Sequence, residues 1–174
     1  MQKLKFTPRV LTVLGVLIAL EIVIAQFVTF RPTQSLKLSL DFLPIVIAGI
    51  LFGPVPAMLV SILADVLGAF VFPVGPYFPG FTVTAALTGL LYGALLHEKQ
   101  SMPRIALAVG VQQGVLSLLL NSFWLCVLYE WPYLPTLAGR LGQCGIMTAA
   151  QLVFIPIVVR MAETIRKHSG ISAK

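Results

Sequence analysis

The sequence predicts an all-α membrane protein, a bundle of six transmembrane helices forming one domain over residues 1–174. Three observations predict it. Of the 174 residues, 58% are hydrophobic and only 10% charged, a balance that cannot furnish a water-facing surface, for which about 25% charged residues is usual. Several apolar runs approach or exceed the roughly 18 residues that cross the hydrocarbon core of a bilayer. Together these runs occupy nearly the whole chain and leave no length for a soluble domain, so the lipid bilayer is the solvent.

Proline, glycine and charge clusters break the chain into segments near 10–28, 38–52, 56–73, 81–97, 105–128 and 137–163. The first is longer than the apolar region of a signal peptide, and no small-residue cleavage site follows it, so it is expected to stay as a helix. It carries Glu21 at mid-depth and a small-x-x-x-small face at Gly15 and Ala19. The second segment is the shortest and ends on Gly49-Ile50-Leu51-Phe52-Gly53. The third starts beyond Pro54 and holds Asp65. The fourth follows a loop rich in proline and aromatic residues, Phe72 to Phe81, and repeats the glycine pattern as Gly89-Leu90-Leu91-Tyr92-Gly93. The echo extends no further. It marks two helices with similar inner ends, not the inverted repeat of many self-sufficient secondary transporters. The fifth segment carries Asn121, Trp124 and Cys126. The sixth carries Arg140, Gln143, Cys144 and Gln151, with Gly139, Gly142 and Gly145 spaced for close approach to another helix. Cys126 and Cys144 lack metal-ligand spacing and read as small buried residues.

A net charge of +6 would suggest nucleic acid in a soluble protein. Here the basic residues punctuate apolar runs and form no patch with interleaved aromatics, so no nucleic-acid partner is expected and they read as topology signals. Lys3, Lys5, Arg9, Lys99, Arg104, Arg160, Arg166, Lys167 and Lys174 fall on one side, against Arg31, Lys37 and Arg140 on the other. The basic side is cytoplasmic by the positive-inside rule, which puts both termini inside the cell membrane. Tyr77, Tyr129, Trp131 and Tyr133 then gather at the outer interface, where amphipathic rings prefer to sit. The inner loops are tight. The outer loops, among them Phe30-Arg31-Pro32-Thr33-Gln34 and the stretch from Phe72 through Val74 to Phe81, are rich in proline and aromatic residues, which makes the outer face the working face.

Catalytic and nucleotide signatures are missing: the sequence has no phosphate-cradling loop ending in Lys-Ser or Lys-Thr, no His-Glu-x-x-His and no Gly-x-Ser-x-Gly. His97 and His168 lie at expected cytoplasmic helix ends. No catalytic residue, metal ligand or cofactor is therefore expected, and the chain is not read as an enzyme. What remains is a set of polar residues at membrane depth, where each is costly enough to imply a purpose. These are Glu21, Asp65, Asn121, Gln143 and Gln151, with Gln26 and Arg140 nearer the outside. Asp65 lies eight residues before Pro73 and Asn121 eight before Tyr129, so both are expected about 12 Å below the outer ends. Trp124, one turn above Asn121, could lay an aromatic wall beside it, which suits a planar ligand with polar edges. Interhelical hydrogen bonding accounts equally well for Asn121, Gln143 and Gln151. For Asp65 a ligand or ion is favoured. Glu21 could be neutral, paired with another helix or turned to a partner subunit. The Gly15 and Ala19 face serves packing within the bundle or contact with a separate membrane subunit.

The sequence resembles the folate-specific substrate-binding (S) components of energy-coupling factor (ECF) vitamin transporters, over most of its length. The resemblance rests on Phe42-Leu43-Pro44-Ile45, Ala48 through Pro54, Leu63-Ala64-Asp65 with Gly68-Ala69, Tyr77-Phe78-Pro79-Gly80-Phe81-Thr82, Thr84 through Gly89, and Leu120-Asn121-Ser122-Phe123-Trp124-Leu125. It implies a six-helix subunit that captures a folate-like vitamin at the outer face and associates with a transmembrane coupling subunit and two cytoplasmic ATPase subunits. Gly15 and Ala19 are the nearest match to the Ala-x-x-x-Ala contact for the coupling subunit in related S components, with glycine in place of the first alanine. Against a pterin ring, Asp65 and Asn121 would read the polar edge and Tyr77, Phe78, Phe81 and Trp124 would stack. Arg140 would take the glutamate carboxylates, for which a forked cation is well shaped, and Gln143 completes the expected substrate-binding set. The competing readings are an S component for another vitamin and a self-sufficient proton-coupled transporter with Asp65 or Glu21 as proton carrier. Energy dependence separates the transporter readings, since only the self-sufficient transporter would move its substrate without ATPase partners.

Overall fold

The structure is a computed structural model and describes residues 8–33, 36–73 and 75–169. Lys3, Lys5, Gln34, Val74 and Lys174 of the sequence readings lie outside the described residues. The chain folds as α1 (Pro8–Phe27), a hairpin of β1 (Phe30–Thr33) and β2 (Leu36–Leu38), α2 (Phe42–Phe52), α3 (Pro54–Val71), α4 (Pro79–Leu96), α5 (Met102–Tyr129) and α6 (Tyr133–Ser169). Six helices match the six expected segments. Among the described residues, five are long and apolar enough to cross a membrane: α1, α3, α4, α5 and α6 as far as Thr164.

The sixth, α2, has 11 residues and is only about 16 Å long, half a hydrocarbon core. Nine of its residues are buried, as a helix that is apolar on every side requires. The helix expected from residue 38 starts instead at Phe42, because Leu36–Leu38 pairs antiparallel with Phe30–Thr33. An apolar run this short has no period that separates a strand from a first helical turn. The turn chemistry at Thr29, Ser39 and Asp41 settles the boundary. Thr29 Oγ1 donates to Ser39 Oγ at 2.7 Å, and Ser39 Oγ accepts the Asp41 backbone N–H at 3.3 Å.

Glycines set the closest packing. Gly53 alone joins α2 to α3, with φ 89° and ψ −169°, a conformation open essentially to glycine only. A Cβ on Gly89 would stand 2.5 Å from Ala57 O, one on Gly93 would overlap the Pro54 backbone, and one on Gly49 would stand 3.0 Å from Gly93 N. The two similar pentapeptides of the sequence thus meet face to face, where α2 and α3 cross α4. Around them the core gathers Phe42, Val46, Ile50, Val60, Tyr92, Leu96, Ile105 and Ile155, all buried. Leu11, Phe70, Leu107, Leu141 and Val153 remain exposed on the outside of the bundle, as lipid-facing side chains do. Cys126 and Cys144 are free thiols.

Candidate functional site

The helices leave a cavity of about 790 Å³, within the ~300–1,000 Å³ typical of small-molecule sites. It opens at the end of the bundle that carries the hairpin, the Gly75–Phe78 loop and Tyr129. On α6 the lining residues Arg140, Gln143, Met147 and Gln151 recur every three or four positions, which is one helix face and about 16 Å of depth. Glu21 of α1 and Asp65 of α3 both line it six residues before their helix ends, Phe27 and Val71. They therefore lie at the same depth, about 9 Å from those ends.

The floor depends on a departure from regular helix. Residues Gln112–Leu120 of α5 are wound as π-helix, a wider turn that is often found at functional sites because it re-aims side chains. Gln112, Gln113 and Ser117 from this stretch line the cavity. Thr88 Oγ1 donates to Gln112 Oε1 at 3.0 Å, and Tyr92 OH donates to Gln151 Oε1 at 3.1 Å.

Nearer the mouth, Thr82 Oγ1 donates to Asp65 Oδ2 at 2.7 Å and lies 2.9 Å from Tyr77 OH. Thr82 has a single hydroxyl hydrogen and gives it to Asp65, so Tyr77 is the donor to Thr82. The relay fixes the Asp65 carboxylate and the Tyr77 ring together. The hairpin is tied down by two contacts: Lys37 pairs with Asp41, and Gln143 Nε2 donates to Lys37 O at 2.6 Å.

Of the residues expected to bind substrate, Asp65, Tyr77, Phe78, Phe81, Arg140 and Gln143 come together on the cavity wall. Trp124 and Asn121 are not on it. Trp124 donates from Nε1 to Thr84 Oγ1 at 3.1 Å, and its ring centroid is 5.6 Å from that of Phe78. It also lies across Gly80, where a Cβ would come within 2.5 Å of the indole. Trp124 thus backs Phe78 rather than facing the cavity. Asn121 follows the π stretch, and its Oδ1 is buried without a partner among the described residues. Depth counted along a regular helix does not give its facing, because the π turns shift the phase of everything after them.

Glu21, Lys37, Asp41, Thr88, Gln112, Gln113 and Gln151 also line the cavity and were not expected as site residues. Glu21 and Gln151 stood out as polar residues at depth. The pair Gln112-Gln113 interrupts an apolar run and carried the same signal, whereas Lys37 and Asp41 gave none because their hairpin was not foreseen. Several buried polar atoms have no hydrogen-bond partner among the described residues: Glu21 Oε2, Arg140 Nε and Gln143 Oε1 on this wall, besides Asn121 Oδ1 and Ser61 Oγ. Arg140 is 5% exposed, and Nη1 makes a long 3.4 Å bond to Ser122 Oγ. Buried polar groups are nearly always satisfied, so a cluster of unsatisfied ones in one cavity marks where a ligand supplies the partners.

Away from the cavity, His97 Nδ1 lies 3.2 Å from Ile50 O at the opposite end of the bundle, and no metal-binding cluster occurs among the described residues. Gly15 and Ala19 are exposed on α1, and a Cβ on Gly15, Gly139, Gly142 or Gly145 would meet nothing within 4 Å. These small-residue faces do not pack within the bundle.

Residues 9–163 match the family of the ECF transporter, substrate-specific component. The chain is 37% identical over 120 residues to the folate transporter FolT of Clostridium novyi (strain NT), covering 68% of this chain and 69% of that one. It is 32% identical over 155 residues to the folate transporter FolT of Leuconostoc mesenteroides subsp. mesenteroides, covering 85% of this chain and 83% of that one. Among solved structures, the crystal structure of FolT bound with folic acid superposes with a TM-score of 0.84 at 30% identity, over 89% of this chain and 95% of that one. The S component of a bacterial ECF transporter superposes with a TM-score of 0.70 at 21% identity, over 92% and 98% of the two chains, a likeness of fold alone.

Proposed function

The chain belongs to the substrate-specific components of ECF transporters, and from that premise we propose that it is the folate-binding S component of such a transporter, a membrane subunit that captures the vitamin and performs no catalysis. The observation that carries the folate reading is the layout of the cavity: a fixed carboxylate and aromatic rings on one side, and a buried Arg140 with an unserved Nε on the other. Folate joins a neutral, donor-rich ring to an anionic tail, and this wall offers each half its complement. In this reading Asp65 accepts from the ring edge while Tyr77, Phe78 and Phe81 pack on its faces. Trp124 holds Phe78 in place from behind. Arg140 meets the tail carboxylates, a charge-assisted contact for which the planar guanidinium is well suited, with Gln143 beside it on the same face of α6. The names of the relatives and of the superposed structure support the same ligand.

As a substrate-specific component without an ATPase motif of its own, it is proposed to transport together with a transmembrane coupling subunit and two cytoplasmic ATPase subunits, as the family resemblance implies. Both termini are cytoplasmic, and the cavity opens outward. The exposed Gly15 and Ala19 face of α1 is the contact for the coupling subunit, since small residues let helix backbones approach closely in lipid. Isothermal titration calorimetry on the purified protein, together with mass spectrometry of small molecules that copurify with it, tests the assignment. Tight folate binding by the chain alone is expected, and failure to bind folate would overturn it.

A further inference from the structure

We propose that Glu21 is the specificity-determining residue of the cavity, the carboxylate that accepts the paired N–H donors of a 2-amino-4-oxo-pyrimidine ring. The proposal rests on the reading that the cavity holds folate, and it assigns which group tells that ring from similar bicycles. Glu21 is 7% exposed, lines the cavity, and has an Oε2 with no hydrogen-bond partner among the described residues. Leaving a buried carboxylate oxygen unpaired is among the costlier arrangements a protein can hold.

Lys37 is paired with Asp41, and Asp65, whose Oδ2 accepts from Thr82, keeps Oδ1 for the second hydrogen of the ring's exocyclic amino group. Arg140 lies on α6 with Ser122 beside its Nη1. In this proposal the ligand supplies the partner that Glu21 Oε2 lacks. The exocyclic 2-amino group and the adjacent ring N–H point the same way, two parallel donors matched by the two oxygens of one carboxylate, the geometry that makes bidentate pairs selective. A site built to bond such donors rejects an analogue that lacks them more strongly than an apolar pocket rejects a change of shape.

The test compares folate with its 2-desamino-2-methyl analogue by calorimetry on the full-length purified protein, unmodified and with Glu21→Gln or Glu21→Asp. The unmodified protein is expected to prefer folate by about ten- to a hundredfold, the size of a charge-assisted hydrogen bond. Glu21→Gln should lower folate affinity and bring the preference close to unity, because the amide turns a donor toward a donor. Glu21→Asp keeps the charge on a shorter stem and should retain part of the preference, so it also reads the site if the glutamine variant fails to fold. A preference unchanged in either soluble, monodisperse variant overturns the proposal, as does an equal loss for both ligands, which is the mark of a packing role. If the unmodified protein binds folate with no preference over the analogue, the assignment of Glu21 fails while the folate reading stands. If it binds neither compound, the folate reading itself falls.

Discussion

Arg140 enters the cavity with one edge of its guanidinium unserved, and the buried cation is close to an instruction about the ligand. Its Nη1 reaches Ser122 Oγ only at 3.4 Å, and its Nε has no partner among the described residues. Arg140→Ala is expected to weaken folate by about ten- to a hundredfold, the loss of one charge-assisted contact of roughly 1.5–3 kcal/mol. Pteroate, which lacks the glutamate tail, should lose much less. Asp65→Asn, by contrast, is expected to weaken both compounds alike, because the Thr82 and Tyr77 relay that fixes Asp65 sits on the ring side. Calorimetry with the two ligands separates the cases. Equal losses for both ligands in the Arg140 variant would argue against a tail contact, and unchanged binding in the Asp65 variant would remove that residue from the site.

At the scale of elements, two sets of small residues that look alike in the sequence do opposite things. Gly93 is pressed against the α3 backbone at Pro54, whereas Gly15 has open space where a Cβ would go. Gly93→Ala therefore overpacks a backbone crossing and is expected to cost about 1–3 kcal/mol or more, seen as a fall in the thermal unfolding temperature in detergent. Gly15→Leu or Ala19→Leu should leave unfolding temperature and folate binding unchanged and prevent copurification with the coupling subunit. Normal transport by both leucine variants would assign this face to lipid. The π stretch of α5 makes a different prediction. Deleting the exposed Val115 from Gln112–Leu120 removes the extra residue that a wide turn accommodates, so the segment can return to regular helix. The outer half of α5 would then keep its facing, while Gln112, Gln113 and Ser117 lose the wide turn that aims them into the cavity. Folate binding is expected to fall at least tenfold in a protein that still purifies as a monodisperse species.

For the whole molecule, the prediction concerns which end faces outward. The cavity mouth, the stacked pair Tyr129 and Trp131 at 4.9 Å, and the hairpin share one end of the bundle, and the counts of lysine and arginine predict that this end faces outward. Single cysteines at Ser101 and Thr136 in a background without Cys126 and Cys144 report on it. Only the cysteine at 136 should react with an impermeant reagent in intact cells, and the reverse pattern would invert the topology. Reconstituted alone in liposomes, the protein should bind folate and move none.

The sequence by itself determined the solvent, the number of helices and most of their limits, because apolar length and charge-marked breaks are local properties that lipid reads directly. It also singled out Asp65, Arg140 and Gln143 as polar residues that line the cavity, since polarity in an apolar helix is visible without a fold. The tertiary structure decided what those residues face. The β-hairpin, the burial of α2 and the joining of the two glycine pentapeptides depend on partners far away in the chain, and no local period encodes them. Facing along α5 is out of reach for the same reason: the π turns shift its phase, so Trp124 and Asn121 lie off the wall and Gln112 and Gln113 lie on it. A hydrophobic run states how deep a residue lies. Only the packing of six helices, one of them irregularly wound, fixes which way it points.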